Sequence, residues 1–156
     1  MKIGKHTYGI ISGLVLSGLL ATTAFADTVR LKLAGTYPAN HFGSEILLNM
    51  IEEIEGAGVG LKINYFPASQ LGSGEELIED AIRGNVDLVS AFIYAQADPR
   101  LEVMNLPGLV TTFDELKSIY ANPESKLNTI LAEVMDDLGL VYLTNTGEGL
   151  IGIVAN

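Results

Sequence analysis

Tyr65-Phe66-Pro67-Ala68-Ser69-Gln70-Leu71-Gly72-Ser73-Gly74-Glu75-Glu76-Leu77-Ile78-Glu79-Asp80-Ala81-Ile82-Arg83-Gly84-Asn85-Val86-Asp87-Leu88-Val89 reads as strand, loop, helix, strand. Just upstream, Leu61, Ile63 and Tyr65 alternate with Lys62, Asn64 and Phe66, the period of two of a strand with one face more buried than the other. Pro67 ends that strand, having no amide hydrogen for a neighbouring ladder. Ser73 and Glu76 have capping-box spacing, which predicts a helix starting near Gly74. Leu77, Ile78, Ala81 and Ile82 share one helical face, and Gly84 stands where a left-handed C-terminal cap is wanted. The apolar run from Val86 to Ala91 then has strand length. A strand, a helix and another strand make a crossover unit, which builds parallel sheets with loops gathered at the strands' carboxyl ends.

Working outward, Val29, Leu31 and Leu33 alternate with Arg30 and Lys32, so 28–34 is read as the first strand, followed by a loop over Gly35-Thr36-Tyr37-Pro38-Ala39-Asn40. A helix is expected from Phe42 to Glu55: Ile46, Leu47, Met50, Ile51 and Ile54 keep to one face and Glu45, Glu52, Glu53 and Glu55 to the other, which reads as a solvated stripe rather than convergent metal ligands. Gly56-Ala57-Gly58-Val59-Gly60 follows a helix and precedes a strand, the reverse of the order that phosphate binding requires. Beyond the central unit, Phe92-Ile93-Tyr94-Ala95 is read as continuing a buried run. Asp98 with Pro99 predicts a short helix over 101–104, and Thr112 with Glu115 a capped helix over 113–121. The clearest periodicity, Leu127, Ile130, Leu131, Val134, Met135 and Leu138, predicts a helix over 123–138 capped by Gly139. Strands are expected at 140–144 and 150–154. This alternation predicts an α/β domain, a mainly parallel sheet with helices on both faces.

The 156 residues are 48% hydrophobic and 18% charged, enough for one domain with a core and too few for two ordinary ones. Lys2 and Lys5 precede an apolar run from Ile10 to Ala21, and Ala24-Phe25-Ala26 is an A-x-A pattern. Residues 1–26 are therefore read as a secretory signal peptide cleaved after Ala26, too short in its apolar run to span a bilayer. With Lys2 and Lys5 gone, the 9 basic residues become 7 against 19 acidic ones. So acidic an exported chain is a poor partner for nucleic acid or anionic lipid. With no cysteine there is no disulfide, zinc-thiolate site or thiol nucleophile.

Catalysis finds little to work with. Of two histidines, His6 lies in the signal peptide, and His41 has no motif pairing it with a nucleophile. Ser69, Ser73 and Ser90 are explained as turn, cap and strand-end residues. No cofactor or metal motif is present, and the chain is read as a non-enzyme. A binding site needs a concavity with a few aimed polar groups, and in an open parallel sheet it lies outside the strands' carboxyl ends. The loops expected there, 35–41, 68–74, 91–96 and 145–149, offer Tyr37, His41, Gln70, Phe92, Tyr94 and Asn145 as candidate ligand-binding residues. For each, ordinary packing or a turn hydrogen bond is the competing role.

Three stretches are similar to one family. Phe66-Pro67-Ala68-Ser69-Gln70-Leu71-Gly72, a Glu-rich helix and Gly84-Asn85-Val86-Asp87 form its centre. Leu31 to His41 lies upstream, and Asn105-Leu106-Pro107 with Asp137-Leu138-Gly139-Leu140 downstream. The chain resembles the dicarboxylate-binding solute receptors of tripartite ATP-independent periplasmic (TRAP) transporters. The resemblance implies domain I of a fold similar to type II periplasmic binding proteins, over 27–156. It implies a periplasmic location, a small organic acid such as a C4-dicarboxylate as ligand, and membrane transporter subunits as partners. It covers about the first half of a family member. The family's carboxylate-gripping arginine, in a segment similar to Asp-Leu-Lys-Gly-Leu-Lys-Ile-Arg, falls past Asn156, so the chain is expected to be a truncated receptor lacking the second domain. Leu150 to Val154 would then form an exposed hinge strand open to self-association. A half-receptor or sensor module completed by a partner chain is the alternative.

Overall fold

Alternating side chains along the first strand decide the layering. The computed structural model describes residues 28–145, so the signal peptide and the strand expected at 150–154 lie outside the described residues. Strand β1 (Val29–Gly35) sits between β2 (Leu61–Phe66) and β3 (Leu88–Ser90) in a parallel sheet of order β2-β1-β3. Leu33 turns to one face, where it packs with Ile63 and with Ile51 of helix α1 (Phe42–Gly56). Its neighbour Ala34 turns to the other, against Val86 and Leu77 of helix α2 (Gly74–Ile82). Helices thus cover both faces, as the alternation predicted. The Ser73–Glu76 capping box is formed, with Glu76 Oε2 accepting from Ser73 N at 2.7 Å, and Gly84 takes φ +76°.

Two carboxylates complete this sheet from its flanks. Glu55 does not belong to the solvated stripe: Oε1 accepts from Ile63 N at 2.8 Å on the open side of β2, and Oε2 pairs with Lys62. These bonds, first Lys62 and then Ile63, hold its carboxyl below the usual carboxylate range. β3 starts at Leu88, two residues later than expected, because Asp87 pairs with β1 through its side chain instead. Asp87 Oδ2 accepts from Lys32 N at 2.7 Å, while Asp87 N donates to Lys32 O at 3.2 Å. The Gly-x-x-Asp ending of the motif therefore has a structural use.

The regular elements after β3 are helical among the described residues. Asp98 caps a 3₁₀ helix (Pro99–Asn105) through Arg100 N, and α3 (Phe113–Tyr120) carries the expected capping box. Helix α4 (Lys126–Asp137) begins three residues later than its periodicity suggested. Asn122 Oδ1 holds Glu124 N at 3.0 Å in a turn, and Ser125 caps the helix through Asn128 N. Leu101, Leu127, Leu131, Val134 and Met135 form the core here. Asn128, 5% exposed, is its polar hub: Nδ2 donates to Tyr120 O at 2.9 Å and Asn122 O at 2.7 Å, and Oδ1 accepts from Tyr142 at 3.0 Å. Arg100 joins Asp98 to Asp137, tying the start of the 3₁₀ helix to the end of α4. Gly139 ends α4 at φ +75°.

Two further sequence expectations fail. Residues 140–144 are not a strand: Tyr142 packs on the helical core, while Val141 is 82% and Leu143 72% exposed, and no strand among the described residues pairs with them. The buried run also stops early, since Phe92 is 56% exposed; β3 ends at Ser90 and the chain turns out of the sheet.

Candidate functional site

In the order β2-β1-β3 the chain leaves β1 towards β2 but arrives at β3 on the far side of β1. Such a reversal opens a crevice between the loops at the carboxyl ends of β1 and β3. Those loops are fixed by backbone hydrogen bonds. Thr36 N donates to Ser90 O at 3.2 Å, and the loop after β2 is sewn to the first through Ala68 N to Tyr37 O (2.7 Å) and Ser69 N to Gly35 O (3.0 Å). Ala68 and Ser69 both take φ +54°, a left-handed conformation that L residues adopt at a cost of about 1 kcal/mol each. That turn aims their amides at the β1 loop.

Three of the predicted residues meet here. The rings of Tyr37 and His41 stack at 4.8 Å with 12° between their planes, and Phe92 meets Tyr37 edge-on at 6.5 Å. Phe92, out of place as a core residue, is one wall of this aromatic corner. His41 is also the N-cap of α1: its Nδ1 accepts from Gly43 N at 3.1 Å. Gly43 is required for close approach, because a Cβ there would lie 2.8 Å from two Tyr37 ring carbons.

The other three stand apart from the corner. Tyr94 lies over the first turn of α2, where a Cβ on Gly74 would come within 2.5 Å of its ring. Gln70 sits exposed in the turn after β2, its backbone N–H donating to Pro67 O at 3.2 Å. Asn145 is in the coil beyond α4; its amide nitrogen is buried near the Tyr142 hydroxyl without a hydrogen bond among the described residues. Burial pushes that hydroxyl up to about 12.

Sequence reasoning missed the residues beneath the corner. Ser44, fully buried, donates to Pro38 O at 2.9 Å and bonds the Tyr65 hydroxyl at 2.9 Å, bracing the β1 loop against β2. Thr36 Oγ1 is buried with no hydrogen-bond partner among the described residues. The small pair Gly43-Ser44 opening an otherwise bulky helix was the one local sign of close packing.

Among the described residues the basic side chains belong to other parts of the chain than the corner. Lys32 reaches Asn85 O, Lys62 Glu55, Arg83 Glu79, and Arg100 Asp98 and Asp137. Arg30 lies at the opposite, amino end of β1, and Lys117 and Lys126 belong to α3 and α4. The corner therefore offers aromatic faces and neutral polar groups. A separate open groove of about 540 Å³ runs along α1 and β2, lined by residues including Leu48, Ile63 and Phe66, and contains none of the three corner rings.

Comparison with known proteins agrees with this architecture. The family model described as bacterial extracellular solute-binding protein, family 7, matches residues 33–156. The uncharacterized protein YiiZ of Salmonella typhimurium strain LT2 is 33% identical over 101 residues, 64% of this chain and 27% of that protein. Among solved structures, a TRAP solute-binding protein from a marine metagenome, in complex with pyroglutamate, superposes with TM-score 0.65 at 23% identity, over 74% of this chain and 38% of that one. A TRAP periplasmic solute-binding protein of Sulfitobacter sp. NAS-14.1 with bound β-D-galacturonate gives 0.62 at 19% identity, over 70% and 37%. The chain thus spans between about a quarter and two fifths of the proteins it matches.

Proposed function

The chain belongs to family 7 of the bacterial extracellular solute-binding proteins, and from that premise we propose that it serves as a periplasmic receptor component for a small organic acid delivered to the membrane subunits of a TRAP transporter. In this reading residues 1–26 are the export signal and 27–156 the N-terminal domain of the receptor. Tyr37, His41 and Phe92 contact the ligand, with Tyr94, Gln70 and Asn145 at the margins of the site. The observation that carries the proposal is the aromatic corner at the switch point of the sheet, built from two loops that backbone hydrogen bonds hold in place.

The acid is left open between C4-dicarboxylates and other small carboxylates; the two solved relatives named above hold pyroglutamate and galacturonate. Rings and neutral polar groups supply contact area and orientation but no charge-assisted grip, which a guanidinium provides best. Binding by this chain alone is therefore expected at roughly millimolar strength, worth about 4 kcal/mol. The test titrates the full, isotope-labelled chain with galacturonate, pyroglutamate and succinate while following its resonances. Saturable shifts centred on Tyr37, His41 and Phe92 with at least one acid are expected. Absence of shifts with all three, or shifts confined to other surfaces, would overturn the site.

A further inference from the structure

His41 carries more information than its place in the corner. A backbone N–H can donate to Nδ1 only if that nitrogen has no proton, so the 3.1 Å bond from Gly43 N fixes the neutral imidazole as the tautomer protonated at Nε2. Stacking on Tyr37 at 4.8 Å and the tilted contact with Phe42 at 4.5 Å hold the ring plane. Nε2–H has no hydrogen-bond partner among the described residues, and the side chain is only partly buried. A second neutral polar group, the unpartnered Thr36 Oγ1, lies in the same loop. None of the ion pairs described involves this loop.

We propose that His41 is the specificity-determining donor of the crevice. Its Nε2–H takes a neutral oxygen, a hydroxyl or ring carbonyl, of a hydroxylated or cyclic organic acid whose apolar face lies on Tyr37 and Phe92. The proposal rests on the reading of this corner as a ligand site. It assigns the wall a defined share of recognition: the described ion pairs bring no cation to this loop, and this side discriminates by the neutral part of the molecule. A site built to hydrogen-bond one substrate oxygen disfavours the analogue lacking it, because the donor that the ligand covers is then left unpaired. Galacturonate, with its hydroxyl oxygens, should accordingly be preferred over butyrate, whose chain beyond the carboxylate has no oxygen to accept from Nε2–H.

His41→Asn separates this role from helix capping. Asparagine is among the best N-cap residues, so α1 keeps its cap, but its shorter side chain cannot place a donor where Nε2 lies. The full chain, labelled with ¹⁵N-histidine, is titrated with galacturonate and with butyrate in parent and variant forms. The His41 resonances are those lost from the spectrum of the variant, which leaves only His6. In the neutral imidazole the expected result is a proton on Nε2 and a bare Nδ1, with a shift of the Nε2 signal on adding galacturonate, and about tenfold weaker galacturonate binding in His41→Asn with the amide-exchange protection of α1 retained. A proton found on Nδ1, or equal galacturonate affinity in parent and variant, overturns the proposal while leaving the receptor reading intact. Failure of galacturonate and pyroglutamate alike to bind the parent overturns the donor role, and butyrate then decides whether the receptor reading goes with it.

Discussion

The sheet region, 28–90, and the helical region, 97–142, are held together in different ways. In the first, backbone ladders set the register and small apolar clusters form on both faces of β1, with the flanking carboxylates of Glu55 and Asp87 taking over where ladder hydrogen bonds run out. In the second there is no sheet. One apolar cluster around Leu131 is joined by a single buried amide, Asn128, to the end of α3, the turn before α4 and the segment after it. The difference teaches that the crevice rests on the region whose order is spread over many bonds. The helical region depends on a few residues.

If that contrast is correct, the largest effects come from emptying each core. Leu77 and Leu131 are both fully buried, and truncation of such a leucine to alanine costs about 2–5 kcal/mol. Leu131→Ala is expected to abolish amide-exchange protection across α3 and α4 while residues 28–90 stay protected. Leu77→Ala is expected to loosen the sheet region and the crevice. Loss of protection throughout the chain in both variants would break the comparison and make the protein one cooperative unit.

A smaller effect is expected at the hub. Asn128→Ala leaves two carbonyls and the Tyr142 hydroxyl without their partner, a loss of about 1–3 kcal/mol. Thermal unfolding should show it as a lowered midpoint, and Tyr142→Phe should show less, since only one bond goes. Equal losses in the two variants would mean that Asn128 is no hub.

Acid should act on both regions at once. Glu55 is held below the usual carboxylate range by Lys62 and Ile63 N, Glu76 by Ser73, Asp98 by Arg100, and Glu115 by Thr111. A carboxylate depressed in the folded state stabilises it above the unfolded-state value, about pH 4, and that stabilisation is lost as pH falls through the depressed value. Unfolding midpoints should therefore be flat near neutrality and fall below about pH 4, with Glu55→Gln reducing the slope for the sheet region alone. A slope unchanged in Glu55→Gln would show that the bond to β2 contributes nothing.

Much of this was legible in the chain because it is local. Capping at Ser73 and Thr112, the left-handed glycines 84 and 139, and the apolar face of α4 each lie within a few neighbouring residues. Ser125 was overlooked as a cap because the apolar period of α4 continues backwards through the turn at Asn122-Pro123. Strand length proved harder to read. Val141 and Leu143 have strand composition, but a strand exists only with a partner to bond, and the composition of one segment does not supply it.

The candidate site divides along the same line. From the sequence alone came the alternation that makes a parallel sheet, the loops at its carboxyl ends and the aromatic and polar residues those loops carry. Tertiary structure decided that Tyr37, His41 and Phe92 converge while Tyr94, Gln70 and Asn145 stand apart. It also decided that Phe92 faces outward, that Glu55 guards a strand edge and that Asn128 is buried. The physical reason is range. A helix cap or a left-handed glycine satisfies its own neighbours, whereas burial, edge protection and ring stacking join residues distant along the chain, such as Tyr37 and Phe92, that only the completed sheet brings together.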